Sequence, residues 1–338
     1  MNRKKLLWQL PFLTLLVVGT VLIIRQQQSL PYHQNAGMVF GTTYHITYQC
    51  DSNLHQGIRD ELQKVDNSLS PFNEKSIITA INQNQDVVPN EMFLDVFDKA
   101  MEISRETDGA FDITVAPLVN AWGFGFKNGS QPSRHQVDSL LRLVGYQKVS
   151  LVDGKVCKKD QRMMLDCSAI AKGYGSDVVA RFLKSRGVRN YMVEIGGEIV
   201  SSGVNAQRLP WKIGVTKPTD DSLSEKGEIQ SVLNVTDQAM ATSGNYRNFY
   251  YKGGKKYAHT IDPKTGYPVQ HSLLSATVLA KDCATADAYA TSFMVLGIEK
   301  AKEVLAKHPE LMAYFIYSDS TGHNAVWYSP SLKDKVKE

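Results

Sequence analysis

Residues 282–293 read DCATADAYATSF. Small apolar residues fill most of this stretch, as in a helix packed on several sides, yet it carries a carboxylate at Asp287 and a hydroxyl at Thr291, one turn later on the same face. Two readings fit, a solvated helix edge or two oxygens converging on one ligand. His259, in AHTIDP, is a second candidate: imidazole titrates near neutral pH and can act as a general base, and no other histidine lies in so motif-rich a segment. His45, in TTYHITY, reads as a surface or packing residue. Short segments rich in Gly, Ala, Asp, Ser and Thr recur along the chain, among them FGTTYHI, LDCSAIAKGYGSD, EIGGEI and AHTIDPKTGYP. Small residues let a backbone approach a ligand closely, and the amides of a helix start such as the one after Asp166 form an anion site. Singly each would be a turn; together they suggest a phosphate-bearing ligand.

Several chemistries are excluded. WGFGFKNG has one residue too many between its second and third glycines for G-x-G-x-x-G, and KGYGSD lacks the third glycine. No P-loop, G-x-S-x-G or H-E-x-x-H motif occurs. The net charge of +4 arises from 38 basic and 34 acidic residues, with Arg3, Lys4 and Lys5 supplying most of the excess, so no basic face remains for nucleic acid. Cys50, Cys157, Cys167 and Cys283 form no C-x-x-C pair; one bridge among them is open, with no pairing indicated.

The elements that must position these residues follow from periodicity. GIRDELQKVDNSLS and NEMFLDVFDKAMEIS read as amphipathic helices, the second capped by Asn90 with Phe93, Val96, Phe97, Ala100 and Met101 on its inner stripe. SRHQVDSLLRLVG is capped at Ser133 and stopped by Gly145. MVFGTTYHITYQC alternates as a strand, KVSLVDG, RMMLDC, NYMVEIGGEIVSSG, WKIGVT, IQSVLNV, QAMATS, KYAHTID and LMAYFIY read as further strands, and KPTDDSLSEKGE as a polar loop. Asp282 suits the N-cap of the helix carrying Asp287. Segregated elements favour α+β over a doubly wound sheet. At the N-terminus the apolar run Leu6 to Ile24 would span about 30 Å as a helix, the thickness of a bilayer core. No clear cleavage site follows it, so a retained anchor over residues 1–25 is favoured above a cleaved signal. The basic residues before it place the body outside the cytoplasm. Residues 26–37 then read as a stalk, 38–330 as the body and 331–338 as a frayed tail.

DGAFDITVAPLVNAWGFG, LDCSAIAKGYGSD, SGNYRNFY, HTIDPKTGYP and ADAYATSFMVLG resemble, in order and spacing, the motifs of the ApbE family of flavin transferases, over roughly residues 38 to 330. The resemblance implies a mixed-sheet α+β fold of two associated parts with FAD in the cleft between them. It also implies magnesium-dependent transfer of FMN from FAD to a Thr or Ser hydroxyl of a target flavoprotein, with release of AMP. Some members mainly hydrolyse FAD to FMN and AMP; a non-catalytic, membrane-tethered flavin-binding protein is a further alternative, one that predicts loss of Asp287, Thr291 or His259. Attack on a diphosphate builds charge on phosphoryl oxygens, which a hard cation stabilises. By the family pattern the magnesium ligands are Asp287, Thr291 and the backbone carbonyl of Ala169, and the base is His259. The FAD residues carried over are Phe40, Phe72, Ala110, Phe111, Asp112, Asp166, Lys172 and Ile261, with Phe40 standing where many relatives have Met and Cys167 where an apolar residue or Gly is usual. The implied partners are subunits of membrane redox complexes, such as a sodium-pumping quinone reductase or the related electron-transport complex. The implied location is the bacterial inner membrane with the body facing the periplasm.

Overall fold

In the computed structural model the described residues are 3–125, 131–218, 228–245, 249–252 and 255–337. Helix α1 (Arg3–Ser29) leads into a hairpin of β1 (Tyr32–Val39) and β2 (Thr42–Gln49), turned at Phe40 and Gly41, whose φ values of 52° and 73° match the right-handed twist of the flanking strands. The single strand expected over MVFGTTYHITYQC is therefore the end of the first arm, the turn and the second arm of a hairpin. Its first arm reaches back into the residues assigned to a stalk: the Tyr48 hydroxyl donates to buried Asn35 at 2.8 Å, so the packed body begins at Tyr32. Among the described residues no helix is long and apolar enough to cross a membrane.

Helices α2 (His55–Leu69), α3 (Ile77–Asn82), α4 (Glu91–Glu106), α5 (Ala116–Ala121) and α6 (Arg134–Leu141) come next, then a small hairpin of β3 (Val149–Val152) and β4 (Lys155–Lys158). Asn90 caps α4 through the Phe93 amide, and Ser133 with Gln136 forms a capping box on α6. Helix α7 (Ala171–Ser185) precedes β5 (Tyr191–Ile195) and β6 (Glu198–Ser202), and β7 (Lys212–Thr216), β8 (Ile229–Asn234), β9 (Gln238–Gly244), β10 (Phe249–Lys252), β11 (Lys255–Ala258) and β12 (Leu273–Ala280) follow. Helices α8 (Cys283–Leu296) and α9 (Ile298–Lys307) lead to β13 (Met312–Ser318), β14 (Asn324–Tyr328) and β15 (Val336–Lys337). The expected loop over KPTDDSLSEKGE falls largely outside the described residues, as does the centre of SGNYRNFY.

The large sheet has the order β1-β2-β5-β6-β9-β12-β13-β14, and every described pairing in it is antiparallel. This corrects the mixed sheet: β1–β2, β5–β6 and β13–β14 are consecutive pairs, and α8 with α9 returns the chain to the end of the sheet where β12 stopped. One face carries the helices, where Phe93, Val96 and Phe97 of α4, Tyr289 and Phe293 of α8, and Val278 and Phe315 of the sheet form the main core. The other face is covered by the three-stranded sheet β15-β8-β7, with Ile199, Leu233, Leu279, Tyr314 and Leu332 between them. Being covered on both faces, β12 reads as a nearly unbroken apolar run, Val278 facing one core and Leu279 the other. Fully buried rings such as Phe293 and Phe315 each contribute roughly 1.5–3 kcal/mol.

Two further expectations change. RMMLDC is not a strand, although Met163, Leu165 and Cys167 alternate inward. The Asn82 side-chain amide takes the place of a neighbouring strand, donating to the Leu165 carbonyl at 2.9 Å and accepting its N–H at 2.7 Å. The tail is not frayed: Leu332 is fully buried and β15 pairs with β8. All four cysteines are free thiols.

Candidate active site

Helix α8 is fixed at its first turn by two carboxylates. Asp282 is its N-cap, accepting the Thr285 amide at 2.9 Å, while Lys99 reaches both Asp282 and the Thr285 hydroxyl, at 3.2 and 2.8 Å. Asp177, from α7, accepts the amides of Cys283 and Ala284 at 2.8 and 2.9 Å. The two helices meet at Gly173, where a Cβ would lie 2.3 Å from the Cys283 carbonyl oxygen, a separation only glycine permits. Through that contact the Gly173 amide donates to Asp287 Oδ2 at 3.1 Å. Asp287 is thus a buried acid at the opening turn of α7, where helix amides favour negative charge, and the solvated-edge reading of it fails.

Electrostatics tie three side chains together. Burial pushes the Asp287 carboxyl up, with the Lys172 ammonium and the Gly173 amide opposing. Burial likewise raises Glu198, against the pull of Lys172 and with the like charge of Asp287 adding to the rise. For Lys172 burial works against the ammonium, but Asp287 and Glu198 outweigh it and hold the lysine above its ordinary range. Lys172 donates to Glu198 Oε1, and its own side chain is 29% exposed, toward the cavity it lines.

That cavity, of about 470 Å³, is lined by every residue to which the sequence assigned a catalytic, FAD or metal role. Asp287 and Thr291 face it from α8, and Asp166, Ala169 and Lys172 from the start of α7. Ala110, Phe111 and Asp112 approach after α4, Phe40 from the β1–β2 turn, Phe72 from the loop after α2, and His259 and Ile261 from the segment after β11. Phe40 is part core as well, packing on Gly175, whereas Phe72 is 69% exposed at the rim. The two aspartates differ. Asp112 has both oxygens engaged, with the Thr114 amide and hydroxyl and the Tyr146 amide, and burial raises its carboxyl nonetheless. Asp166 Oδ1 accepts from the Ser168 amide and hydroxyl, at 2.8 and 2.5 Å, leaving Oδ2 without a protein partner among the described residues.

His259 is positioned by a turn rather than by its strand. Asp262 closes DPKTG through the Gly266 amide at 2.8 Å, the Trp122 indole donates to the Gly266 carbonyl at 2.8 Å, and Thr260 donates to Asn245 at 2.8 Å. The His259 ring stands edge-on to Phe124, their centroids 6.4 Å apart. Glu198 and the Thr242–Gly244 end of β9 line the cavity too; the sequence reading marked the segments that hold them as ligand-facing but assigned these residues no role. An acid directly after Gly-Gly inside an apolar strand pattern was the available signal for Glu198. A second hollow, of about 620 Å³, lies beside α4 and contains Asp95, Glu102, Arg181 and Asp177 but none of the residues expected to carry chemistry.

The family model described as ApbE family matches residues 40–315. An FAD:protein FMN transferase of Haemophilus influenzae is 39% identical over 304 residues, covering 85% of this chain and 87% of the relative. One from Vibrio cholerae is 38% identical over 280 residues, covering 80% and 83%. Among solved structures, the flavin transferase ApbE from Vibrio cholerae superposes with a TM-score of 0.81 at 32% identity, over 90% of this chain and 99% of that one. The apo flavinyl transferase ApbE of Pseudomonas stutzeri gives 0.80 at 28% identity, over 90% and 97%. With its fold, most of its length and its sequence all matching these proteins, the chain belongs to the ApbE family.

Proposed function

We propose that this protein is an FAD:protein FMN transferase, moving FMN from FAD to a Thr or Ser hydroxyl of a target flavoprotein and releasing AMP. The observation that carries the reading is the convergence of residues from six separate segments on one cavity, aromatic at the Phe40 and Phe111 walls and charged at the α7 start. A magnesium ion fits the donors present: Asp287, Thr291 and the Ala169 backbone all border the cavity and offer hard oxygens, as this cation prefers. When bound, it would neutralise charge developing on the diphosphate oxygens. Lys172 supports the same charge from the α7 start. Phe40, Phe72 and Phe111 offer faces for the flavin or adenine ring, and Asp166 Oδ2 an acceptor for a ring or ribose donor. His259 takes the proton from the acceptor hydroxyl as its oxygen attacks the FMN phosphorus; the bond from that phosphorus to the bridging oxygen breaks, and AMP leaves with that oxygen.

For the run Leu6 to Ile24 the same reading keeps attachment to a membrane surface rather than a span, since no described helix is long and apolar enough to cross a membrane; it would hold the body at the periplasmic face of an inner membrane near acceptor subunits of redox complexes such as a sodium-pumping quinone reductase. Phe12, Leu13, Leu15 and Leu16 of α1 are each more than half exposed, apolar surface of the kind a bilayer covers. The test is incubation of the protein with FAD, magnesium and an acceptor subunit, followed by flavin fluorescence of the denatured acceptor and assay of AMP. Labelled acceptor with AMP is expected, and His259→Asn should slow labelling by roughly 10²–10⁴-fold. AMP without label would replace transfer by FAD hydrolysis, and neither product with FAD still bound would sink both enzymatic readings.

A further inference from the structure

The cavity wall holds a carboxylate with no task in the scheme above. Glu198 opens β6 directly after Gly196 and Gly197, whose φ values of 61° and 102° make a turn closed to most side chains. A Cβ on Gly196 would lie 2.8 Å from Thr42 Cγ2 and 3.3 Å from Lys172 Cδ, so the bare glycine leaves room for the Thr42 side chain and for the lysine stem that meets Glu198 Oε1. The Ser176 hydroxyl donates to the Glu198 backbone carbonyl at 3.1 Å, not to its carboxylate. Glu198 is 2% exposed, and its Oε2 is buried with no hydrogen-bond partner among the described residues. Buried polar atoms in native structures are nearly always satisfied, and a carboxylate oxygen is an acceptor only. With Lys172 already on Oε1 and no described protein donor on Oε2, the cavity that Glu198 lines is the nearest source of a further donor.

We infer that Glu198 is a substrate-contact residue whose Oε2 accepts a hydrogen bond from an O–H donor entering with the substrate, either a hydroxyl of the flavin nucleotide or a water carried on the cation. The inference rests on the reading of this cavity as the FAD site. It adds a sorting rule to that site: a phosphate oxygen presented to Glu198 meets like charge, whereas a hydroxyl is bound, so the diphosphate is directed to the open side of Lys172.

Glu198→Gln keeps an amide oxygen for Lys172 but puts an N–H donor where Oε2 stood, so that two donors face each other. Binding of FAD to the full chain, read by flavin fluorescence with magnesium and with EDTA, should weaken roughly ten- to a hundred-fold, the range for a hydrogen bond to a charged group. Weakening in both conditions assigns the donor to the nucleotide; weakening confined to magnesium assigns it to cation-bound water. Glu198→Asp, which keeps the charge but withdraws it, is the second variant, and its affinity decides should the glutamine protein fail to fold. Wild-type affinity for both variants in both conditions overturns the inference. Failure of the wild-type protein itself to bind FAD overturns the reading of the cavity, a result distinguishable because it precedes any variant.

Discussion

Asp177 tests how the helix bearing Asp287 and Thr291 is held. It is 7% exposed and accepts two amides at the start of α8. Burial, helped by the like charge of Asp282, pushes its carboxyl from 3.8 up to about 7, against the two amides and Arg181. A carboxyl raised on folding binds its proton more tightly in the native state, so stability is greatest below the unfolded value and falls as pH rises toward the folded one. A rise from 3.8 to about 7 corresponds to about 4 kcal/mol lost across that window, at about 1.36 kcal/mol per pH unit. Asp177→Asn removes the titration while keeping the size. In urea unfolding from about pH 4 to about pH 8, the stability of wild type relative to the variant should therefore drop by about 4 kcal/mol. Other buried acids slope the same way in both proteins and cancel in the difference. Parallel pH curves for the two proteins would show that the carboxylate enters the native state at no cost, and the argument from burial would be refuted.

Two other outcomes follow from the α7–α8 contact. Asp287→Asn should leave the apo protein folded but abolish stabilisation by magnesium added with FAD, which for wild type at a hundredfold excess over Kd is worth about 2.7 kcal/mol; an unchanged magnesium-dependent shift in Tm would remove Asp287 from the cation site. Gly173→Ala forces a methyl against the Cys283 carbonyl, and overpacking of this kind costs about 1–3 kcal/mol in urea unfolding. Wild-type stability in that variant would mean the two helices are free to part.

Features that depend on neighbours three or four residues away were legible in the sequence. The caps at Asn90, Ser133 and Asp282 and the shared face of Asp287 and Thr291 are set within one helical turn. The residues lining the cavity were reached through the family motifs rather than through periodicity, which says nothing of what converges in space. Long-range substitutions for regular structure were hidden. Asn82 standing in for a strand opposite Leu165, Asp177 capping a helix from 106 residues away, and Lys172 pairing with Glu198 each join segments that no local pattern links. The hairpin arm at Tyr32–Val39 was missed because its alternation is polar enough to read as a stalk, its one deeply buried side chain being the asparagine that Tyr48 satisfies.

That hairpin also limits the protein's reach. Helix α1 ends at Ser29 and β1 begins at Tyr32, so only Leu30 and Pro31 lie between them, and Gln49 donates to the Leu30 carbonyl at 2.9 Å. Two residues extend at most about 7 Å. Whatever surface holds α1, the body has no leash on which to wander from it, so on the function proposed above an acceptor hydroxyl would have to be carried to the cavity by the acceptor's own chain.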